Sequence, residues 1–337
     1  MTESKVSAAC RICGNGSGNR EHLAREMMFG LREEFRYIEC SGCGCLGILD
    51  PPADPSPYYP DDYYAMKPPP RQSRVKRFLK RRLAAYGLRG TDLVGRLLAW
   101  RLGIPREVEW LRRAGVDYHD AILDVGCGAG HLLLHLHALG FSNLTGIDPY
   151  LPADSAPEPG VRLLKARIGD LAGSYDLVML HHALEHVPDP RSVLEHVHRL
   201  LRPGRYALIR TPVAGSHAWR TYGTDWVQLD APRHLVLFTE DGLRNLAERV
   251  GFSLEHIAYD STGFQFWGSE QYRRDVPLMD DRSVAVNPDN SMFSPTQLRD
   301  FEARAAALNA RRDGDQACFF LKHAGRGSGV PDSAHWR

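Results

Sequence analysis

The sequence predicts a doubly wound α/β sheet of seven strands, and its first βαβ unit is the clearest part of that prediction. Residues 121–125 form a short apolar run suited to a buried parallel strand, and residues 131–139 continue with helical spacing. Three glycines at alternate positions lie between them: Gly126, Gly128 and Gly130. Because glycine has no Cβ, the backbone can turn tightly there and approach a ligand. A second strand ends at Asp148, where such folds place an acid against ribose hydroxyls.

The later strands alternate with helices. Strands three to seven are predicted at 161–164, 175–180, 205–210, 254–259 and 316–321. One helix begins at the prolines 188 and 190 and ends before Pro203-Gly204; others cover 239–250 and 297–310. This alternation predicts helices on both faces of the sheet and a ligand beyond the carboxyl ends of the strands.

The glycine spacing decides between nucleotide sites. A dinucleotide fingerprint counted from Gly126 would need its third glycine at His131, and no phosphate-binding G-x-x-x-x-G-K-[ST] motif occurs. The remaining pattern, Asp124-x-Gly-x-Gly-x-Gly130, resembles motif I of class I S-adenosylmethionine (SAM) dependent methyltransferases. The resemblance implies a Rossmann-like methyltransferase sheet in which Asp124 and the glycine loop hold the methionine end of SAM and Asp148 holds its ribose.

A second stretch extends the resemblance. Leu184-Glu-His-Val-Pro-Asp-Pro190 is similar to the segment after strand four in the type 11 and type 23 groups of these methyltransferases. In that family Ile168 lies where adenine is framed, and His181 lies against SAM. The full set of implied SAM-binding residues is Asp124, Gly126, Cys127, Gly128, Gly130, Asp148, Pro149, Ile168 and His181.

Two Cys-x-x-Cys pairs near the amino terminus indicate a metal site. Cys10 and Cys13 are separated from Cys40 and Cys43 by 26 residues, and a glycine follows each pair. Four thiolates at this spacing predict a zinc ribbon with a closed, structural Zn²⁺ site. Buried free cysteines are the alternative. Disulfides are disfavoured because no charged-then-apolar signal segment opens the chain, so we expect a reducing, cytoplasmic location.

The motifs and the family resemblance imply four parts, and 337 residues are enough for a small accessory module and one catalytic domain. The four parts are a zinc ribbon at 1–50, a Tyr/Pro-rich lid and basic helical segment at 51–115, a SAM-binding domain at 116–324 and a disordered tail at 325–337. The charged fraction of 25% and net charge of +1 are ordinary for a globular protein. No apolar run is long enough for a transmembrane segment.

Two features of the segment 51–115 leave its role open. Its tyrosine-rich stretch is similar to one in zinc-ribbon methyltransferases of sugar and natural-product pathways, which implies a lid that places Tyr63 and Tyr64 at the substrate. A semi-rigid linker is the alternative. Residues 71–113 carry thirteen Lys or Arg against three acids, with apolar residues at helical spacing. A solvated helix face, a membrane surface, and an anionic acceptor such as RNA or a sugar nucleotide all fit this pattern.

Candidate catalytic residues follow strands four and five. The stretch from Tyr222 to Phe238 resembles an insert in methyltransferases of polysaccharide and secondary-metabolite clusters, which implies an acceptor pocket containing Trp226 and Arg233. A packed loop held by an ion pair between Arg233 and Asp230 is the alternative. A sugar hydroxyl is a poor nucleophile, so a general base adds roughly 10² to 10⁴ in rate. The candidates are His186 or His234 as base and Glu185 or Asp230 as its orienting acid; a buried structural pair is the alternative for Glu185 and His186.

The sequence thus predicts a SAM-dependent methyltransferase for a small-molecule or glycan acceptor, first of all a sugar hydroxyl. C-methylation of a nucleotide-linked keto-sugar, RNA methylation and a non-catalytic zinc-ribbon adaptor are the alternatives. Enzymes of the keto-sugar class usually carry a further carboxyl-terminal domain. The near-zero net charge and the lack of an Asn-Pro-Pro-Tyr motif disfavour RNA. The sequence makes no prediction of the methylated atom or the oligomeric state.

Overall fold

The computed structural model describes residues 5–6, 8–60, 66 and 73–325. The chain forms two compact units. We call the one built from Met1–Pro60, His182–Ser192 and Ile209–Phe319 the ribbon unit, because it contains both Cys-x-x-Cys pairs. The other, built from Asp61–His181, Val193–Leu208 and Phe320–Arg337, is the sheet unit, because it contains the predicted first βαβ unit.

Thirteen strands and nine α-helices lie in the described part of the chain. The strands are β1 Lys5–Val6, β2 Asn19–Arg25, β3 Glu34–Glu39, β4 Leu46–Ile48, β5 Ile122–Val125, β6 Leu144–Ile147, β7 Ser155–Glu158, β8 Val161–Leu164, β9 Tyr175–His181, β10 Leu201–Pro212, β11 Val236–Leu237, β12 Phe252–Tyr259 and β13 Gln316–His323. The helices are α1 Arg74–Arg89, α2 Leu93–Leu102, α3 Arg106–Arg113, α4 His131–Leu139, α5 Pro190–Leu200, α6 His217–Tyr222, α7 Glu240–Arg249, α8 Phe264–Arg273 and α9 Pro295–Ala310.

An eight-stranded sheet has the order β12-β13-β10-β9-β5-β6-β8-β7. Strand β5 pairs in parallel with β6 on one side and with β9 on the other, so the strand order reverses at β5. In doubly wound sheets such a switch point opens a crevice at the carboxyl ends of the strands. All seven predicted strands are present, which confirms the predicted fold class.

One strand of this sheet was missed. Strand β7 pairs antiparallel with β8 at the edge of the sheet, and most of its residues are exposed. Its sequence, Ser-Ala-Pro-Glu, contains a proline, which is tolerated at an edge but lowers any prediction of a strand.

The ribbon unit contains a five-stranded sheet of order β1-β2-β3-β4-β11. Strand β11 pairs antiparallel with β4, with Val236 opposite Gly47 and Leu237 opposite Leu46. A buried apolar cluster joins the two parts of this unit; from the amino-terminal part it takes Ala24, Tyr37, Leu46 and Ile48, and from the later part Trp219, Trp226, Leu237 and Phe266 among others. The amino-terminal strands therefore share one core with residues that lie far later in the sequence, from Ala214 onward.

Local signals account for the helix starts. Helix α7 begins after Thr239, whose hydroxyl accepts a hydrogen bond from the Gly242 amide at 3.0 Å, and this is the predicted start. Helix α9 begins with a capping box between Ser294 and Gln297, two residues before its predicted start. Helix α8 was not predicted; it buries the polar Gln265, Ser269 and Gln271 along with Phe266, so its sequence lacks a clear apolar stripe.

Within the described residues, no helix combines the length and the apolar character that crossing a membrane requires. The predicted boundaries at 50 and 115 differ from those of the compact units, because each unit is built from three separate segments of the chain. The four-part division remains a prediction. Tyr63, Tyr64 and nearly all of the predicted tail, residues 326–337, lie outside the described residues.

Candidate functional site

The glycine loop of the sheet unit connects β5 to α4. Gly126, Gly128 and Gly130 have φ angles of +76°, +50° and +80°, in the left-handed region that side chains rarely adopt. A Cβ on Gly130 would lie 2.9 Å from the Leu163 side chain. Both the backbone conformation and the close approach therefore require glycine. The loop leaves the carboxyl end of β5, at the switch point of the sheet.

Asp148 connects this loop to the end of β6. Its carboxylate accepts hydrogen bonds from the Gly128 amide at 3.1 Å and from the Tyr150 amide at 2.9 Å. Each carboxylate oxygen offers two acceptor positions, so Asp148 retains acceptor capacity for ribose hydroxyls. The structure thus brings together two of the residues that the motif resemblance assigns to SAM.

Asp124 is a second buried acid beside the loop. Burial, together with the charge of Asp148, raises the pKa of Asp124 to about 8. Neither carboxylate forms an ion pair with another residue in the described part of the chain. Two neighbouring acids without a basic partner suit a ligand that brings positive charge, as the ammonium and sulfonium groups of SAM do. These residues therefore fit the cofactor.

The other predicted SAM-binding positions border the same edge of the sheet. His181 ends β9, and its ring stacks on Trp110, with 5.6 Å between the ring centroids. Ile168 begins a short 3₁₀ turn after β8, and Pro149 follows Asp148 directly. Trp110 was not predicted, because nothing in its local sequence separates it from an ordinary apolar residue of an amphipathic helix.

Cys127 has a packing role within the loop. Its side chain is buried, and burial raises the pKa of its thiol well above the ordinary value. A Cβ on Gly146 of β6 would lie 2.6 Å from Cys127 Sγ, so the thiol fills the space above that glycine. A buried thiol with a raised pKa is not an activated nucleophile.

Three candidate catalytic residues meet in the ribbon unit: Glu185, His186 and His234, which we call the histidine cluster. One side-chain nitrogen or oxygen atom of each lies within 4.8 Å of those of the other two. The two imidazole rings are arranged edge to face, with their centroids 4.7 Å apart. From the sequence, His186 and His234 are alternative bases, whereas the structure places them in one cluster.

Backbone carbonyls assign the tautomer of both histidines. His186 Nδ1 lies 2.9 Å from the Arg233 carbonyl oxygen, and His234 Nδ1 lies 2.8 Å from that of Gln228. A carbonyl oxygen only accepts, so Nδ1 of each ring carries a proton, and in a neutral ring the lone pair is then on Nε2. Burial, followed by the charge of His234, lowers the pKa of His186 to about 4. The His186 imidazole is therefore neutral at pH 7.

Glu185 is fully buried beside these rings. Burial alone would raise the pKa of its carboxyl group, but the hydrogen bond from His182 and the charges of the surrounding histidines lower it to about 2. One oxygen accepts a hydrogen bond from the Thr211 hydroxyl at 3.1 Å, and the other lies 3.2 Å from His182 Nδ1. Glu185 is thus a buried anion at neutral pH.

A chain of polar contacts continues behind Glu185. Arg210 donates one hydrogen bond to His182 Nε2 at 2.6 Å and another to Asp260 at 2.7 Å. His182 has a φ of +51°, a conformation that costs a non-glycine residue about 1 to 3 kcal/mol. Arg210 lies on β10 and Asp260 follows β12, so only the fold brings them to His182, and neither was predicted.

Arg233 forms the centre of a second buried network. Its guanidinium group, fully buried, pairs with Asp230 at 2.6 Å and with Glu26 at 3.2 Å. Burial would raise the pKa of Asp230, but Arg233 keeps it below its ordinary value. These contacts are those expected for the packed-loop alternative. Direct contact between Arg233 and an acceptor remains a prediction.

Trp226 is also a core residue in this structure. Its side chain is fully buried, and its indole nitrogen donates a hydrogen bond to Asp315 at 2.9 Å. The same Asp315 oxygen accepts a hydrogen bond from the Gln228 side chain at 2.6 Å. A role for Trp226 at an acceptor ring remains a prediction, as does a role for Asp230, whose carboxylate lies 3.9 Å from His234 Nε2.

The four predicted metal-binding cysteines also meet in the ribbon unit. The sulfur atoms of Cys10 and Cys43 are 3.7 Å apart, those of Cys13 and Cys40 are 3.4 Å apart, and all four lie within 4.8 Å of one another. Sulfur atoms bound to one tetrahedral zinc lie about 3.8 Å apart, as the Zn–S distance of about 2.3 Å requires. Each pair ends in a glycine of positive φ that donates to the carbonyl of the first cysteine, as Gly14 does to Cys10. The arrangement fits Zn²⁺.

The chain is similar to known methyltransferases. A family model described as a methyltransferase domain matches residues 72–257, more than half of the chain. A ubiquinone biosynthesis O-methyltransferase of Cronobacter sakazakii is 34% identical over 134 residues, which cover 36% of this chain and 55% of that protein. The protein of the same name from Erwinia tasmaniensis is 31% identical over 163 residues, covering 44% and 67%.

Several of these curated relatives are matched over only about half of their length. Among solved structures, a SAM-dependent methyltransferase from Mesorhizobium loti is 20% identical, with a TM-score of 0.40, 64% of this chain and 97% of that chain being covered.

Proposed function

The chain belongs to the methyltransferase-domain family and is a SAM-dependent methyltransferase, and on that premise we propose that it methylates a hydroxyl group. The acceptor class is a small molecule or a glycan, with a sugar hydroxyl as the first candidate. The observation that carries this proposal is the state of His186: its Nδ1 proton is held by a backbone carbonyl, so its neutral Nε2 can accept a proton.

The chemistry of the transfer explains why a base points to a hydroxyl acceptor. SAM supplies an electrophilic methyl group on a sulfonium, and S-adenosylhomocysteine leaves with the electron pair of the broken C–S bond. The attacking hydroxyl must lose its proton, and a neutral imidazole in the histidine cluster can take it. A neutral amine or a carboxylate already presents a lone pair to the methyl group, so neither needs the cluster. The anion of Glu185 stabilises the imidazolium that forms beside it.

The low pKa of His186 supports a second candidate acceptor. An imidazole with a pKa near 4 is a weaker base than a free histidine. A phenolic hydroxyl, with a pKa near 10, loses its proton far more readily than an ordinary alcohol. The curated relatives are named as O-methyltransferases of ubiquinone biosynthesis. A phenolic small molecule therefore stands beside the sugar as a candidate.

We also propose that Cys10, Cys13, Cys40 and Cys43 bind one structural Zn²⁺. Four thiolates fill a tetrahedral site, so no coordination position remains for substrate. The spacing of the sulfur atoms and the matched glycine turns support this assignment. The metal would stabilise the ribbon unit and take no part in the transfer.

The decisive experiment measures transfer and then the role of each histidine. Purified protein is incubated with methyl-labelled SAM and a panel of sugar nucleotides, lipid-linked glycans, phenols and RNA, and the methylated atom is identified by NMR. We expect O-methylation, and a loss of about 10² to 10⁴ in kcat for His186→Gln or His234→Gln. SAM binding of each variant is checked by calorimetry. If both variants bind SAM and keep near-normal turnover, the base assignment is wrong.

The same panel tests the two other acceptors, a nucleotide-linked keto-sugar and RNA. A methyl group found on carbon of a nucleotide-linked keto-sugar would replace the hydroxyl proposal with C-methylation. A salt-sensitive gel shift together with methyl transfer to RNA would identify RNA as the acceptor instead.

A further inference from the structure

Helix α2 of the sheet unit carries an apolar stripe on its solvent side. Leu93, Leu97 and Trp100 are 76%, 67% and 82% exposed. Because an α-helix turns about 100° per residue, these three side chains lie within an arc of about 60°. Exposed large apolar side chains that share one helix face mark an interaction surface.

The opposite side of α2 is packed against α1 at Gly95, whereas Leu102, the last residue of the helix, is 70% exposed. Gly95 is buried, and a Cβ at this position would lie 2.0 Å from the backbone oxygen of Arg82. Gly95 lies about 160° around the helix from Leu93. The contact with α1 therefore fixes which face of α2 points outward, and Val75 and Phe78 of α1 are exposed as well.

Arginines border the stripe on both sides. Arg96 lies about 40° beyond Trp100 in one direction, and Arg101 about 40° beyond Leu97 in the other. Both are exposed, and neither forms an ion pair with another residue in the part of the chain that the structure describes. Residues 73–105 contain nine Lys or Arg and one acid, whereas the whole chain contains 42 Lys or Arg and 41 Asp or Glu. Positive charge is therefore concentrated in residues 73–105, which contain α1 and α2 and which we call the α1–α2 hairpin.

We propose that the α1–α2 hairpin binds the surface of an anionic lipid bilayer, with Leu93, Leu97 and Trp100 inserted among the lipids. Apolar side chains enter the boundary between headgroups and acyl chains, and flanking arginines reach the lipid phosphates. Tryptophan is favoured at this depth because its ring is apolar and its N–H is polar. The helix lies on the surface, since its ten residues are too few to cross a bilayer.

The charge pattern decides against a second copy of the chain on the same face. A two-fold dimer would bring the same patch of each protomer together, and two strongly basic hairpins repel one another. An anionic lipid surface satisfies the apolar stripe and the arginines together.

Vesicle flotation with the full-length protein tests the proposal. Vesicles of phosphatidylcholine alone are compared with vesicles that also contain phosphatidylglycerol. Salt is set at about 0.1 M and at about 1 M, where the Debye length falls from about 10 Å to about 3 Å. We expect binding to the anionic vesicles at low salt, much weaker binding at high salt, and weak or no binding to the neutral vesicles. Equal binding to vesicles with and without phosphatidylglycerol, at both salt concentrations, would overturn the proposal.

Two double variants separate the apolar stripe from the charges. Leu97→Ser with Trp100→Ser should lower partitioning at least tenfold, roughly the loss expected for two buried apolar side chains. Arg96→Gln with Arg101→Gln should weaken binding at low salt and flatten its salt dependence. The matched control, Met279→Ser, changes an exposed apolar residue of the ribbon unit and should bind like the unmodified chain.

SAM titration by calorimetry shows that each variant is folded, because none of these residues borders the glycine loop. If both double variants bind vesicles as well as the unmodified chain, or if the unmodified chain binds none, the proposal is wrong. A dimer in sedimentation velocity that is lost in the Leu97→Ser, Trp100→Ser variant would assign the stripe to a second copy and would also overturn it.

Discussion

Asp124 shows how one buried acid can couple cofactor binding to pH. Burial and the charge of Asp148 raise the pKa of the Asp124 carboxyl group to about 8, against an ordinary value of 3.8. Between these values the folded state holds a proton that the unfolded chain has lost. The contribution of Asp124 to stability therefore falls as pH rises from about 4 to about 8. A positively charged ligand beside Asp124 favours the ionised form and releases that proton.

The first prediction concerns the pH dependence of SAM affinity. We expect Kd for SAM to decrease as pH rises from 6 to about 8, and to level off above it. Calorimetry in two buffers of different ionisation enthalpy measures the released proton directly. The Asp124→Asn variant should bind more weakly and without this pH dependence. An unchanged slope in that variant would assign the proton to another group.

The second prediction concerns how activity declines as pH falls, and it follows from the pKa of His186. This pKa of about 4 lies below the ordinary 6.5, so the unfolded chain binds the proton first as pH falls. The stability contributed by neutral His186 is therefore complete above pH 6.5 and is lost as pH falls toward 4. For the same reason, His186 remains neutral and able to accept a proton below pH 6. We expect kcat at saturating SAM to show no inflection near pH 6.5, and a decline only near pH 4 to 5.

The measurement is a pH–rate profile of the unmodified chain beside that of His186→Gln. Circular dichroism at each pH separates loss of the base from loss of the fold. An inflection near 6.5 in the unmodified chain would contradict the assignment of His186 as the proton acceptor.

Individual residues differ in how far the sequence could predict them. The glycine loop is predictable because its glycines are close together in the sequence and share a positive φ. Asp148 is predictable because it ends the next strand along the chain. The histidine cluster is only half predictable, because it depends on a contact between segments nearly 50 residues apart. Glu26 gave no signal at all: it is one acid among many in the sequence, and only its burial against Arg233 distinguishes it.

At the scale of elements, the segment between α6 and β11, which contains His234, is held by the five-stranded sheet of the ribbon unit. Glu26 follows strand β2 directly; it pairs with Arg233 and accepts hydrogen bonds from the amides of Met28, Phe29 and Leu31. The Tyr37 hydroxyl donates to the His234 carbonyl at 2.8 Å. The ribbon strands therefore position the histidine through contacts that a separate zinc module would not make.

The third prediction removes the charge of Glu26. In the Glu26→Gln variant Arg233 loses one of two carboxylate partners in a fully buried site, which destabilises a protein by about 3 to 5 kcal/mol. Urea denaturation measures the free energy of unfolding. The control is Glu34→Gln, an exposed position on β3, which should change it by no more than about 0.5 kcal/mol. Equal effects of the two changes would mean that Glu26 has no special role.

The fourth prediction concerns metal removal. Purified protein should contain one Zn²⁺ per chain by mass spectrometry, and Cys13→Ser or a strong chelator should remove it. We expect Tm to fall by about 5 to 10 °C, because a structural zinc contributes several kcal/mol to folding. Cys45→Ser is the matched control: this cysteine is buried nearby but lies outside the group of four, so zinc should stay bound. Full zinc content in Cys13→Ser would contradict the proposed site.

Element prediction succeeded where one signal dominated and failed where tertiary contacts decided. Helix α4 has its predicted bounds, and α7 begins at its predicted cap. Strand β11 has two residues and exists because β4 lies beside it. No local pattern distinguishes it from the loop on either side. Helix α8 buries glutamines and a serine in hydrogen-bonded positions, so its periodicity is hidden from a count of apolar residues.

At the scale of the whole chain, the boundary between the units does not follow sequence order. The chain enters each compact unit three times, and the amino-terminal sixty residues belong to the same unit as residues 209–319. Composition and motif spacing cannot reveal this arrangement, because a zinc ribbon followed by a linker reads as a separate module. The shared apolar core and the β4–β11 pairing are the physical reasons for it.

The last prediction tests that arrangement by deleting residues 1–50. The predicted four-part division treats these residues as a module whose loss should leave a folded methyltransferase. The compact units predict the opposite. Deletion removes β2, β3 and β4, exposes the apolar faces of Trp219, Trp226 and Phe266, and leaves β11 without its partner. Exposed apolar surface and an unpaired strand edge favour aggregation.

We therefore expect the shortened chain to aggregate or to lose the cooperative thermal transition of the ribbon unit. Differential scanning calorimetry and light scattering measure both. The Leu23→Ser variant is the control, because it changes an exposed apolar residue on the same sheet and should melt like the unmodified chain. A monomeric shortened chain with an unchanged transition and normal SAM affinity would show that the rest of the chain folds without residues 1–50, as the four-part division predicts. The core shared with residues 209–319 would then contribute little to stability, because removing its amino-terminal members would cost nothing measurable.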